Sequence, residues 1–217
     1  MKKSIFYILL LLVAHNLSAL DVNVSSYGAT GNGVTDDRKA IQDAIDAVHK
    51  AGGGTVNIGA GTFRLGKQAD DDVEQVVCLA IYSDITIKGA GRNNTILKLI
   101  DNIGDFTAVI SPKPSWLVID NFSLLDLTID ENSADVTLTE TQLWEKGFRN
   151  VVRFYKGNNL KVENCLFTNT KGVWVLVFSG VIDGVIVNNN IFNNIGGGDN
   201  YWDHSTIYTD GKNCTIT

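Results

Sequence analysis

The chain has 217 residues, and its 18 basic against 24 acidic side chains give a formal net charge of −6. That balance excludes the basic footprint of a nucleic-acid-binding protein, while 44% hydrophobic residues and only two prolines exclude a disordered chain. The length is enough for one sizeable core, and one domain is expected.

Residues 1–19 open with Lys2 and Lys3, continue through an apolar run from Ile5 to Ala14, and end on the small pair Ser18-Ala19. This pattern predicts a secretory signal peptide, too short to span a bilayer, with cleavage after Ala19. No cysteine precedes Cys78 to carry a lipid. Residues 20–217 are therefore expected as one domain, secreted or periplasmic and without a membrane anchor. Loss of Lys2 and Lys3 moves the net charge from −6 to −8. So acidic a surface repels a polyanionic partner unless the cations gather along one groove or a metal ion bridges the two. Ca2+ is the one cofactor this leaves room for.

The next unit runs from Tyr27 to Gly61. Thr35 is placed to cap a helix over 35–50, with Asp36 and Asp37 near the positive end of its dipole. Ile41, Ala44, Ile45 and Val48 recur at helical spacing, and Gly52 supplies a stop. Such an apolar stripe needs a partner. The glycines of the GATGNG turn do not fit GxGxxG, so a nucleotide loop is set aside.

The order Tyr27-Gly28-Ala29, Gly31-Asn32-Gly33, Thr35-Asp36-Asp37, Ala40-Ile41-Gln42, Ala44-Ile45, Gly52-Gly53-Gly54-Thr55-Val56 and Gly61-Thr62-Phe63 resembles the opening of pectate-lyase-superfamily proteins. The resemblance implies an all-β fold, a single-stranded right-handed parallel β-helix, with a short α-helix capping the otherwise open first coil. Proteins of that superfamily include polygalacturonase-like hydrolases, polyuronide lyases, mannuronan C5-epimerases and phage tailspike depolymerases. The acidic run Asp70-Asp71-Asp72 with Glu74 reads as a solvated turn ahead of a calcium site.

Beyond Asp84 the chain repeats itself. Segments that alternate apolar and other residues begin at Ile85, Phe122, Leu160, Val185 and Cys214, with steps of 37, 38, 25 and 29 residues. About five coils are expected. A second strand follows in three of them, and Asp126, Asn164 and Asn189 align at the corner between the two, where stacked amides can hydrogen-bond along the solenoid. Counting back from each phase mark places a third strand at 152–155, 175–178 and 205–208. In that register Phe154, Val177 and Ile207 point inwards, Arg153, Leu176 and Thr206 form one outward column, and Tyr155, Phe178 and Tyr208 form another. The aromatic column is either a sugar-stacking platform or a surface covered by a loop. The insertion from Asp130 to Phe148, with Trp144, Glu145 and Lys146, leaves the coil just before this strand, and insertions there wall the groove in the proteins it resembles. Cys165 and Cys214 fall at inward positions of different corners, which favours free thiols over a disulfide.

His49 belongs to the last turn of the capping helix, where a cation suits the dipole. His204 follows Trp202-Asp203 in the glycine-rich corner that begins at Gly196, directly before the third strand. Asp203, His204 and Asp210 are thus the candidate acid–base groups. Arg153 and Lys171 are candidates for neutralising substrate carboxylates, and Tyr155, Phe178, Trp202 and Tyr208 for holding sugar rings. Hydrolysis needs paired carboxylates. Tyr208-Thr209-Asp210-Gly211 only partly echoes the Asn-Thr-Asp element of polygalacturonase-like enzymes, and Asn169-Thr170-Lys171 has Lys in place of the Asp. The Asp-Pro-His-Glu element of the mannuronan epimerases falls on Leu176-Val177-Phe178-Ser179, where all four residues are replaced. The resemblance implies a polysaccharide partner containing uronates, acted on by glycosidic hydrolysis or β-elimination. A non-catalytic glycan-binding or tailspike-like scaffold is the competing expectation. Cys214-Thr215-Ile216-Thr217 reads as the first half of a strand, so C-terminal truncation is expected.

Overall fold

The computed structural model describes residues 19–68, 75–104, 106–133, 149–171, 174–196 and 206–217. Every strand pairing among them is parallel, in an eleven-stranded and a six-stranded sheet. The chain coils as a right-handed parallel β-helix with three faces. The first face stacks Leu20–Asn23, Gly54–Ile58, Ile85–Gly89, Ser123–Leu125, the second halves of Asn150–Glu163 and Trp174–Asn188, and Lys212–Ile216. It is seven strands deep among the described residues, so six turns separate its ends where five coils were expected. The second face runs from Asn32–Asp36 to Ile191–Ile195. The third consists of Val77–Ala80, Ala108–Ser111, the first halves of the two long strands, and Ile207–Thr209.

The phase marks hold on the first face. Leu160 pairs with Val185 and Val185 with Cys214, while Ser123 pairs with both Thr86 and Lys161. The corner residues are left-handed. Asp126, Asn164 and Asn189 have φ of 60, 57 and 51°, a conformation that short polar side chains tolerate best after glycine. Asn164 donates through Nδ2 to Asp126 Oδ1 at 3.1 Å, and Asn189 donates to Asn164 Oδ1 at 2.7 Å. The same device recurs unforeseen at two more corners, through Asp84, Asn121 and Asn159 and through Asp130, Asn169 and Asn194.

The third face corrects the expected register. Arg153, Val177 and Tyr208 are aligned, as are Phe154, Phe178 and Thr209, and Leu176 pairs with Val152 and Ile207. Phe178 is fully buried, its ring 5.9 Å from Phe154 and nearly parallel to it, while Phe154 lies 5.3 Å from Phe122. There is no outward column of Tyr155, Phe178 and Tyr208. The run 175–178 is apolar at every position, so alternation cannot set its phase. A bulge after Phe178 gives that strand one more residue at the corner than Asn150–Glu163 has after Phe154, so the same count back from Leu160 and from Val185 does not reach paired residues. Ring stacking and burial then decide which face Phe178 takes.

The capping helix lies where expected but starts later, at Arg38 and not Thr35. Residues 32–36 form a strand instead. Asp37 stands at the N-cap without a capping bond, because its carboxylate accepts from Thr30 N, Thr30 Oγ1 and Gly31 N at 2.7, 3.1 and 3.0 Å. Asp36 accepts from Arg38 N and Gly66 N. Asp37 thus locks the glycine-rich turn against the helix, while Asp36 caps the first helical N–H and ties it to the end of the strand Gly61–Leu65. The helix buries Ile41, Ala44, Ile45 and Val48 over the first coil. Gln42 exchanges two 2.9 Å hydrogen bonds with the backbone of Ala80, covering the edge strand of the third face. His49 stacks on Tyr82 at 3.9 Å. All three thiols are free, Cys78 and Cys165 buried and Cys214 half-buried. No helix among the described residues is long and apolar enough to cross a membrane, and the expected signal segment lies outside them up to residue 18.

Asn164 combines a left-handed backbone with two ladder bonds, so its substitutions separate the two contributions. Asn164→Gly is expected to lose about 1–2 kcal/mol of stability with the hydrogen bonds. Asn164→Ala should lose a further ~1 kcal/mol from the left-handed conformation. Urea denaturation checks the order Asn over Gly over Ala.

Candidate functional site

The third face carries an open cleft of about 410 Å3, lined by Asn150, Tyr155, Trp174, Val177, Tyr208 and Asp210 among others. Trp174 and Tyr208 approach to 5.2 Å at a 38° tilt and form its aromatic wall. Asn150 is held beside them by donating from Nδ2 to Trp174 O at 3.1 Å. Asp210 lies at the rim, where its Oδ1 accepts from Gly180 N at 2.7 Å. Gly180 sits in the left-handed region at φ 80°, and a Cβ there would lie 2.7 Å from Tyr155 O. The close approach of these two coils therefore needs glycine.

Arg153 lies beneath Tyr155, with its guanidinium carbon 4.9 Å from the ring centroid. It is 6% exposed. Among the described residues no carboxylate pairs with it, and its Nε has no hydrogen-bond partner. Burial pulls its pKa below the ordinary guanidinium value, with the Tyr155 ring opposing that. A cation so placed suits an anionic group arriving in the cleft.

Of the residues singled out from sequence, the cleft brings together Tyr155, Tyr208 and Asp210, and Arg153, which is not among the lining residues, packs on the Tyr155 ring. Phe178 does not belong there, since its ring is part of the core. Lys171 closes the second face near Gly196 and is not among the residues that line the cleft. Trp202, Asp203 and His204 lie outside the described residues, as do Trp144, Glu145, Lys146 and the run from Asp70 to Glu74. Trp174 and Asn150 went unforeseen. Each is the first residue of its strand, Asn150 two places and Trp174 one place before the segment that the sequence marked. Among the described residues no group of three or more His, Cys, Asp and Glu side chains is placed to hold a metal ion. Asp130, for example, is already engaged by Lys98, Asn132 N and Asn169 Nδ2.

A buried ion pair lies at the corner leading to this face. Glu131 is 1% exposed, and its Oε1 stands 3.7 Å from Arg149 Nη1, beyond hydrogen-bond reach. Its other oxygen accepts from Lys171 N at 3.3 Å. Arg149 lies over the Phe106 ring at 4.6 Å and donates to Gly104 O. Burial pushes the Glu131 carboxyl up to about 7, with Arg149, Lys171 N and Ser133 opposing the rise and Asp130 adding to it.

The sequence matches over residues 21–217 the family described as "Rhamnogalacturonase A/epimerase, pectate lyase-like". It is similar to mannuronan C5-epimerase AlgE6 of Azotobacter vinelandii, 39% identical over 132 residues that cover 59% of this chain and 14% of that protein. Alginate lyase 7 of the same organism is 41% identical over 115 residues, 52% of this chain and 13% of the lyase. The chain thus spans about one seventh of the length of either relative. Among solved structures, the AlgE4 epimerase A-module of A. vinelandii superposes with a TM-score of 0.58 at 25% identity, over 77% of this chain and 51% of that one. The tailspike protein of E. coli bacteriophage HK620, solved with a pentasaccharide, reaches a TM-score of 0.71 at 20% identity over 90% of this chain and 34% of its own. That likeness is one of fold.

Glu131 gives the molecule a pH dependence of definite sign. Its proton is held more tightly in the folded state, so the associated stability is complete below the ordinary carboxylate range and is lost as pH rises through about 7. Unfolding free energy from urea titrations is expected to fall by up to ~3 kcal/mol between acidic and mildly alkaline pH. Glu131→Gln should flatten that part of the profile.

Proposed function

Since the chain belongs to the rhamnogalacturonase A/epimerase, pectate lyase-like family, we propose that it is a secreted carbohydrate-active β-helix that binds a uronate-containing polysaccharide in the third-face cleft and cleaves it by β-elimination. The observation that carries this reading is Arg153, a buried cation without an anionic partner among the described residues, packed on the ring of Tyr155, which lines an aromatic-walled cleft.

Trp174 and Tyr208 would hold a pyranose ring by stacking. Arg153 would take the uronate carboxylate and spread the charge that develops when the neighbouring C5 proton is removed. A base accepts that proton, the C4–O4 bond breaks as the C4–C5 double bond forms, and an acid protonates the departing oxygen. Asp210 at the rim, with Asp203 and His204 in the segment leading to Tyr208, are the groups assigned to this acid–base work. Lys171 is kept as a second cation for the polymer, on the corner outside the cleft. The similarity to mannuronan C5-epimerases and to an alginate lyase supports a uronate polymer such as alginate as the substrate class.

A second reading, a glycan-binding scaffold without activity, is favoured by one observation. Leu176, Val177, Phe178 and Ser179 occupy the strand where epimerases of this superfamily carry Asp-Pro-His-Glu, and three of the four are buried here.

Incubation with polymannuronate, polyguluronate and polygalacturonate decides between these. Ultraviolet-absorbing unsaturated ends are expected together with new reducing ends. Reducing ends without the absorbance would make the protein a hydrolase, a changed mannuronate-to-guluronate ratio by 1H NMR without either would make it an epimerase, and binding with none of these would leave the scaffold. Arg153→Gln is expected to lower kcat/KM by a factor on the order of 10^2, as loss of a preorganised electrostatic group does. Unchanged turnover in that variant would remove Arg153 from the mechanism.

A further inference from the structure

A second concave site lies on a different face. It is a groove of about 430 Å3 on the outside of the first face, lined by Asn121, Asn159, Lys161, Gly184, Ile186 and Asn213 among others. These residues come from four successive coils, so the groove is roughly 14 Å long at the usual inter-strand spacing.

Its cause is a missing rung. Asp84, Asn121 and Asn159 build a corner ladder, with Asn121 Nδ2 donating to Asp84 at 2.7 Å and Asn159 Nδ2 to Asn121 at 3.1 Å. The next residue in the column is Gly184, which keeps the left-handed φ of 75° but brings no amide. A Cβ there would lie 3.3 Å from Asn159 Oδ1. Among the described residues nothing donates to that oxygen. One coil further, Asn213 donates sideways to Asp183 Oδ1 at 2.6 Å and not down the column. The ladder therefore has a gap of one side chain, with an amide oxygen aimed into it from below.

Beside the gap Ile186 is 42% exposed and offers an apolar patch suited to the C–H face of a pyranose. Among the groove-lining residues Lys161 is the one charged group, and it leans towards Glu163 at 3.9 Å. Asp84 and Asp183 flank the groove and are hydrogen-bonded to its amides. The site thus presents amides, an apolar patch and balanced charge. Recognition falls on neutral hydrogen-bonding groups.

We propose that this groove is an accessory glycan-binding site, which takes a polysaccharide segment through its ring hydroxyls, one of them replacing the amide absent at Gly184. It is independent of the cleft on the third face and does not require the chain to be a lyase.

The test uses the full chain labelled with 15N and a neutral β-1,4-linked mannohexaose, with hexamannuronate in parallel. Both are expected to shift the side-chain amide resonances of Asn121, Asn159 and Asn213, with affinities altered less than about twofold by a tenfold rise in salt, as for a site that does not read charge. Gly184→Asn completes the ladder and should weaken mannohexaose at least about tenfold, with the thermal midpoint unchanged or raised. Should that variant not fold, Ile186→Glu, on an exposed position, is expected to cause a comparable loss. Folded variants that bind mannohexaose like the parent would overturn the proposal, as would Asn resonances that stay still at saturating ligand. Shifts confined to Trp174 and the other cleft residues would refute the accessory groove while leaving the cleft reading intact. Hexamannuronate that perturbs the amide ladder but not the cleft would do the reverse.

Discussion

Everything in this molecule hangs on the left-handed corner. A parallel coil must turn sharply between faces, and at each turn the backbone leaves the hydrogen-bonded sheet and needs a residue at positive φ. Asn answers both demands, because its amide can donate to the coil below and accept from the coil above. Asp can only accept. That difference orders the ladders. Asp84, Asp126 and Asp130 stand at the foot of theirs, and Asn121, Asn164 and Asn169 follow, each donating towards the N-terminal end. The columns have a chemical direction set by which side chain carries an N–H.

At other corners the coils approach more closely than side chains allow, and glycine marks the place. Gly157, at φ 155°, lies where Asn150–Glu163 passes from the third face to the first, and a Cβ there would fall 1.9 Å from Ile119 O. One strand can thus serve two faces, so a residue's position along the first face constrains where Arg153 and Tyr155 emerge on the third. The cleft inherits its rigidity from that corner. Glu131 and Arg149 sit at the opposite corner of the same face, buried and in coulombic contact without a shared hydrogen bond, which ties the entrance of the third face to the protonation state of one carboxyl.

How much of this was legible in the sequence depends on the face. On the first face the inner residues Leu160, Val162, Val185 and Val187 alternate with Lys161, Glu163, Ile186 and Asn188, and an Asn or Gly fixes each corner, so phase and register could be read directly. The third face is buried from both sides over much of its length. Cys78, Val109, Val151 and Val175 are as buried as Leu79, Ile110, Val152 and Leu176. A strand covered on both sides has no apolar period to read, and Phe178 was assigned to the wrong side for that reason. The helix start was misplaced by a related ambiguity. Thr35, Asp36 and Asp37 have the composition of a helix cap, yet the Asp37 carboxylate satisfies the backbone of the neighbouring Gly-rich turn and Asp36, one residue later in the chain than expected for the cap, accepts from Arg38 N and Gly66 N. Asp210 and Tyr208 were legible because they follow a corner glycine and a strand. Trp174 was not, since it precedes the pattern that would have marked it.

The electrostatic arrangement of the cleft follows from the same scaffold. In a chain this acidic, a long-range field cannot gather a polyuronide, and exposed cations would be neutralised by their neighbours and screened by salt. Arg153 avoids both fates by being buried in a strand whose facing positions are Val177 on the next coil and, by the Val152–Ile110 register, Ser111 on the preceding one, so among the described residues the sheet register brings no carboxylate beside it. Leaving a guanidinium desolvated and unpaired costs stability. The stacking of Phe122, Phe154 and Phe178 immediately inside this strand supplies the packing that holds it in place despite that cost. On the reading proposed above, an incoming carboxylate recovers the penalty on binding, and the packing that holds Arg153 without an anionic partner among the described residues becomes selectivity for uronates over neutral sugars.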